Sequence, residues 1–212
     1  MLQLILGNRN YSSWSMRAWL AARLSGAEFE ERNFHLGEPG VRERIREHSP
    51  TGRVPALRDG QLTVWDSLAI AEYLAERFPE AGLWPADRAD RARARSACAE
   101  MHSGFAALRA NMPFNVRRRS PGKGRASGVE DDIARIRQLW RECLAGSGDY
   151  LFGDFGLADA FYAPVVLRFR TYAVELEGPE ASWSKRVLDH PHVRAWCEAA
   201  EAESWVEPQY DV

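Results

Sequence analysis

The stretch RVPALRDGQLTVWDSLAIAEYL, residues 53–74, decides the fold. Two short apolar runs flank Asp59-Gly60, and Asp-Gly readily supplies the positive φ angles of a tight hairpin, so residues 54–65 are predicted to form two antiparallel strands. From residue 66 the period changes. Leu68, Ala71, Leu74, Ala75 and Phe78 fall on one side of a helix over 66–78, with Ser67 standing at its N-cap. Pro55 enters the first strand without an N–H to give to a ladder. It becomes useful if the peptide bond before it is cis, because the Val54 N–H and C=O then turn outward, where an extended peptide-like ligand could pair with them. At the other end of the stretch, free helix N–H groups beside Ser67 suit a carboxylate, and Asp66 suits an ammonium. Together these groups match an amino-acid head group, although Ser67 could equally be a plain helix cap.

Upstream, LQLILG (2–7) reads as a strand and residues 13–25 as a helix, with Trp14, Ala18, Leu20, Ala21 and Leu24 on one face. Residues 28–34 alternate weakly, as a half-buried strand would, and 39–48 form a short charged helix that must stop before Pro50. The order strand, helix, strand, helix, hairpin, helix describes a small mixed α/β domain. PEAGLWPADRAD (79–90) reads as a linker. Beyond it the expected segments are all helical: 87–111, 129–146, 157–173, 182–188 and 191–203. The expected division is a domain over 1–80, a linker over 81–90 and an all-helical domain over 91–212.

With 212 residues, 45% of them hydrophobic and 27% charged, the chain has the make-up of a soluble globular protein. A formal net charge of −2 gives no global field for nucleic acid or an anionic membrane. No apolar run approaches the roughly 18–20 residues a bilayer requires. The N-terminus lacks the pattern of a signal peptide, so a cytoplasmic location is expected. Cys98, Cys143 and Cys197 lie far apart with no C-x-x-C pair, which argues against a disulfide framework and against a zinc site.

NYSSWSMRAWLAARL (10–24) crowds Tyr11, Ser12, Ser13 and Ser15 at the start of the first helix. A thiolate there gains from the helix dipole and from hydroxyl donors, and thiol pKa values near 8.5 fall by about one unit or more at such ends. SSWSMR (12–17) is similar to the S-x-x-x-x-R motif of serine-type glutathione transferases, the zeta and tau groups among them. RVPAL (53–57) resembles their cis-proline motif, and DSLAIAEYL (66–74) their E-S-x-A-I-x-x-Y-L motif. FGDFGLADA (152–160) resembles the helix N-capping box of their second domain. The resemblance spans essentially the whole chain and identifies it as a member of the cytosolic glutathione transferase superfamily. It implies an α/β thioredoxin-like N-terminal domain followed by an all-α C-terminal domain.

Carried over residue by residue, the resemblance implies that the Ser12 hydroxyl donates to the glutathione sulfur, with Tyr11, Ser13 and Ser15 as the other hydroxyls at hand. Val54, before a cis Pro55, would pair with the cysteinyl backbone. Asp66 and Ser67 would take the γ-glutamyl ammonium and carboxylate, and Arg53, or less directly His35, the glycyl carboxylate. Trp14, Met101, His102 and Phe105 would line the electrophile pocket. Two positions depart from the pattern: Asp66 replaces the usual Glu, and Gly156 replaces the Ser or Thr of the capping box, leaving Asp159. No Cys lies near positions 11–15, so cysteine-type thiol exchange is not expected.

Three further features take simpler readings. The acid-free stretch 112–128, with Arg117, Arg118, Arg119, Lys123 and Arg125, reads as a solvated interhelical loop. Arg17 is expected to pack its stem and form an ion pair. Residues 87–96 form a charged helix face, solvated or at a dimer interface. The expected function is therefore a homodimeric glutathione transferase. It would use glutathione as co-substrate, need no metal, and attack a hydrophobic electrophile in detoxification. A glutathione-dependent isomerase of the maleylacetoacetate type would use the same site, and a non-catalytic interaction module is the competing class.

Overall fold

The computed structural model describes residues 1–146 and 148–208. Four strands, β1 (Leu2–Gly7), β2 (Phe29–Phe34), β3 (Ala56–Asp59) and β4 (Leu62–Trp65), form one sheet in the order β2-β1-β3-β4. β1 and β2 run parallel, joined through helix α1 (Ser13–Leu24), whereas β3 pairs antiparallel with both β1 and β4. The apolar run in β1 follows from burial on both faces. Leu4 and Leu6 join the main core with Leu20 of α1 and Leu74 of α3 (Ser67–Arg77). Ile5 faces the other way, into a small cluster with Phe34, Ala56, and Val41 and Ile45 of α2 (Val41–Arg46). Asp59-Gly60 makes the hairpin turn, with Gly60 at φ 58°.

A short 3₁₀ turn (Pro79–Ala81) leads into six helices: α4 (Arg88–Ser103), α5 (Ala106–Asn111), α6 (Val129–Cys143), α7 (Leu157–Tyr172), α8 (Gly178–Asp189) and α9 (Pro191–Ala202). The single helix expected over 87–111 is broken. Gly104 is extended, and Phe105 takes the left-handed conformation at φ 57°. Helix α7 runs through the middle, apolar nearly all round, as a helix buried on every side must be. Its Tyr162 and Phe169 pack on Trp140, which meets Trp183 at 4.6 Å between ring centroids. At its N-terminus Gly156 offers no side-chain cap, but Asp159 accepts from the N–H groups of Gly156 (3.0 Å) and Leu151 (3.1 Å) and from Trp183 Nε1 (2.8 Å). Burial pushes the Asp159 carboxyl up to about 6 in spite of these donors.

Helix α1 joins the two halves, because Arg17 Nε reaches across to the Phe161 carbonyl of α7 at 3.1 Å. Among the described residues Arg17 has no carboxylate partner, contrary to the ion pair expected of it; it is buried and stacked on aromatic rings. The arginine-rich stretch 112–128 also differs from a solvated loop. Met112, Phe114, Asn115 and Val116 are buried, and Arg117 and Arg119 donate to backbone carbonyls. Among the described residues no helix is long and apolar enough to cross a membrane.

Candidate active site

Two adjoining cavities form a cleft between the sheet and helix α4. One, about 360 Å³, is lined by Pro55, Asp66, Ser67, Trp65, Thr51 and His102; the other, about 390 Å³, by Ser12, Leu36, Val41, Ile45, Arg42 and Gly52. Trp14, Arg53 and Val54 border both cavities.

Ser12 is the N-cap of α1, and its Oγ accepts from the Ser15 N–H at 3.2 Å. The same hydroxyl stands 2.8 Å from Ser15 Oγ, which accepts the Gly7 N–H at 2.9 Å. The first helix turn contains no acid, so its free N–H groups and positive dipole end act on whatever lies beside Ser12. Ser13 faces another way, accepting from Arg168 Nη2 of α7 at 3.3 Å. Tyr11 Oη accepts from Arg117 Nη2 at 3.2 Å. Of the four hydroxyl residues, Ser12 alone borders these two cavities among the described residues.

The Val54–Pro55 bond is cis. The β3 ladder to β1 stops at Ala56, which leaves Val54 outside it and against the cleft. The cap of α3 corrects the sequence reading, because the N-cap is Asp66, whose Oδ1 accepts from the Leu68 N–H at 2.8 Å. Asp66 sits at φ 76°, a conformation that costs a non-glycine residue about 1–3 kcal/mol and that tends to persist at functional positions. Ser67 becomes the first helical residue; its Oγ is buried on the cleft wall and has no hydrogen-bond partner among the described residues. From α4, His102 Nε2 approaches Asp66 Oδ2 at 3.2 Å, and its ring meets Trp14 edge-on at 5.2 Å.

Three expected site residues lie elsewhere. Met101 and Phe105 are packed into the core, and neither borders the cleft, because the break at Gly104 turns Phe105 inward. His35 points to the C-terminal segment, with Nε2 3.2 Å from Glu207 and its ring stacked on Trp205. Conversely, sequence reasoning passed over Thr51 and Trp65 as cleft residues. It also missed a group of guanidiniums behind the cleft: Arg17 and Arg109 each stack on the Trp14 ring at 4.7 Å. Burial, and then the Arg109 and Arg168 charges, lower Arg17 to about 9; burial and Arg109 lower Arg168 to about 10. No motif marks these positions, since each arginine comes from a different helix. Among the described residues no group of three or more His, Cys, Asp or Glu side chains could hold a metal ion.

A mixed four-stranded sheet carrying helices on both faces, a helical unit following it, and a cleft bordered by a helix-capping serine and a cis proline define a thioredoxin-like class of protein. The glutathione S-transferase N-terminal domain model matches residues 11–77, and the C-terminal domain model matches residues 88–199. The chain belongs to the glutathione S-transferase family. It is 34% identical to glutathione S-transferase 1 of Dianthus caryophyllus over 161 residues, 74% of this chain and 72% of that one. It is 29% identical to maleylacetoacetate isomerase of Pseudomonas aeruginosa over 201 residues, 86% of this chain and 90% of that one. Among solved structures, a holo bacterial maleylpyruvate isomerase described as a zeta-class glutathione transferase superposes with a TM-score of 0.73. It is 26% identical and aligned over 95% of this chain and 99% of its own. Membership makes the protein a glutathione-dependent transferase, as the sequence motifs implied.

Proposed function

We propose that glutathione lies extended along the cleft with its sulfur at Ser12, and that the protein holds the thiolate against an electrophile bound beside Trp14. The observation that carries this reading is the placement of Ser12 and the buried Ser67 hydroxyl on two adjoining cavities that share Trp14, Arg53 and Val54. Ser67 and the α3 N-terminus take the γ-glutamyl carboxylate, and Asp66 keeps lone pairs for the ammonium beyond those used by Leu68 and His102. Val54 pairs with the cysteinyl backbone, and Arg53 reaches the glycyl carboxylate.

The chemistry at Ser12 follows from its hydrogen bonds. A hydroxyl has one proton to donate, and rotation decides where it goes. In the free protein the Ser12 hydroxyl donates to Ser15 Oγ, which also accepts from the Gly7 N–H. Rotation of the Ser12 O–H carries its proton from Ser15 to the sulfur, and Ser15 Oγ keeps the Gly7 N–H as its donor. The thiol proton leaves to solvent, and the thiolate is held by the Ser12 O–H and the dipole of α1. Attack on the electrophile then forms the carbon–sulfur bond within a bound pair. Either the bond to the leaving group breaks and that group departs with its electrons, or a π bond opens and the resulting anion takes a proton from solvent.

The guanidiniums around Trp14 support a second reading, in which the electrophile is anionic and glutathione adds and leaves again, as in an isomerase. Relatives named maleylacetoacetate and maleylpyruvate isomerase agree with it. A homodimer is part of the proposal, as are a cytoplasmic location and a role in detoxification. Trp65 and Leu62, each about half exposed on the edge strand, give a second copy apolar surface to cover. A purely scaffolding module would have no use for a head-group site at Asp66 and Ser67.

Ser12→Ala tests the proposal. The protein should still be retained on a glutathione column, while the pKa of the bound thiol, followed by thiolate absorbance, rises by about one unit, with a tenfold or greater loss of kcat near neutral pH. An unchanged thiol pKa would remove Ser12 from the activating role. A folded wild-type protein that fails to bind glutathione would favour the non-catalytic module.

A further inference from the structure

The loop that delivers Ser12, residues 8–12, is held from the far end of the chain. Glu203, at the C-terminal end of α9, points its carboxylate at two consecutive backbone N–H groups of that loop. Oε1 accepts from Arg9 at 2.8 Å and Oε2 from Asn10 at 3.1 Å. Charge-assisted bonds to adjacent amides fix both distance and orientation of a backbone segment. Beside this clamp, Trp196 Nε1 of α9 donates to the Arg9 carbonyl at 3.1 Å, and the Arg9 guanidinium lies 4.8 Å over the Trp196 ring. Arg117 ties the same strap to the loop, donating to the Glu203 and Trp205 carbonyls and to Tyr11 Oη. The loop itself closes through Asn8, whose carbonyl accepts from the Ser12 N–H at 2.9 Å. The backbone entering Ser12 is thus gripped by α9 and the segment after it, although about 190 residues of sequence separate them.

We propose that Glu203 is a positioning residue for thiol activation: by clamping Arg9 and Asn10, the C-terminal strap sets the orientation of the Ser12 hydroxyl toward the sulfur. The inference rests on the reading of Ser12 as the activating group. A purely electrostatic role predicts the opposite sign. A carboxylate near a thiolate disfavours it, so neutralising Glu203 without moving Ser12 would lower the thiol pKa. Loosening the clamp instead costs the thiolate its donor and raises the thiol pKa.

The test uses the full chain and four proteins: wild type, Ser12→Ala, Glu203→Gln and the double variant. Each is titrated for bound-thiol pKa and assayed for kcat and for KM toward glutathione. Glu203→Gln should raise the thiol pKa by part of the Ser12→Ala shift and lower kcat about fivefold, with KM for glutathione within about twofold. Amide exchange at Arg9 and Asn10 should quicken. In the double variant the thiol pKa should equal that of Ser12→Ala, because Glu203 acts only through Ser12. A lowered or unchanged thiol pKa in folded Glu203→Gln overturns the positioning role even if its melting temperature falls. Full additivity in the double variant also overturns it. If Ser12→Ala itself leaves the thiol pKa unmoved, the underlying reading of Ser12 fails, and the positioning role of Glu203 is overturned with it.

Discussion

Between α6 and α8, Arg137 and Arg141 both reach Glu180, at 3.0 and 2.6 Å, and on α4 Glu100 takes Arg135 at 2.7 Å. Around the cleft, Arg17, Arg109 and Arg168 reach only carbonyl oxygens, a serine hydroxyl and aromatic rings. Among the described residues none of these three lies within ion-pair distance of a carboxylate. The titration directions separate the two groups as well. The hydrogen bond to Glu180 raises Arg141, and that to Glu100 raises Arg135, while burial lowers Arg17, Arg109 and Arg168. Paired arginines neutralise their surroundings and serve packing. The three arginines behind the cleft keep a positive charge in a poorly solvated place, within a chain whose formal net charge is −2. In the proposed function that charge acts through Trp14 on an anion in the cleft, either the thiolate or a carboxylate on the electrophile.

The largest expected effect follows from replacing the half-buried Arg109 behind Trp14. Arg109→Leu should reduce kcat/KM about tenfold toward an electrophile bearing a carboxylate, through loss of a nearby unpaired charge, and under about twofold toward a neutral haloaromatic. Equal losses on both substrates would mean that Arg109 only supports Trp14 and the carbonyls of Met101, His102 and Gly104. The paired group should give the reverse pattern. With Arg137 and Arg141 both changed to Ala, Glu180 is left as a buried carboxylate without a partner. The urea midpoint should fall, while kcat and KM stay within about twofold of wild type. A kinetic defect there would break the distinction between the two groups.

The same distinction explains what could be read in the sequence. Strand and helix order were legible because β1, the hairpin and α3 each carry their own local signal: a doubly buried apolar run, Asp59-Gly60 and a 3.6-residue period. That Ser12, Val54, Pro55, Asp66 and Ser67 line the cleft was legible because they fall in short segments at element ends. Helix α4 was overextended because its pattern continues past Gly104; the break depends on the positive φ of Phe105, which the apolar spacing does not report. The contacts of Arg17, Arg109 and Glu203 were hidden for a different reason. Each depends on a partner brought close only by the tertiary fold, such as the Phe161 carbonyl 144 residues from Arg17.

The smallest effect sharpens the comparison by separating titrations that govern stability from those that govern the cleft. His190, stacked 3.8 Å from Phe155 at the start of α9, is lowered to about 4, first by burial and then by the neighbouring charge of His192. Between about pH 4 and its ordinary value near 6.5 the native state therefore binds fewer protons at His190 than the unfolded chain. The stability tied to His190 is complete above that range and lost as pH falls through it. Asp159, raised to about 6, works against it. Between about 4 and 6 the native carboxyl holds a proton that the unfolded chain has released, so its contribution declines as pH rises. The two slopes oppose each other over nearly the same window and flatten the wild-type profile. His190→Gln removes one of them, so the melting temperature, measured relative to wild type at each pH, should fall as pH rises from 4 to 6. The bound-thiol pKa should stay unchanged, since His190 faces Phe155, Tyr150 and His192 and lies outside the cleft. A parallel shift at every pH would show that His190 is charged in the native state, and a moved thiol pKa would show that the helical unit and the cleft titrate as one system.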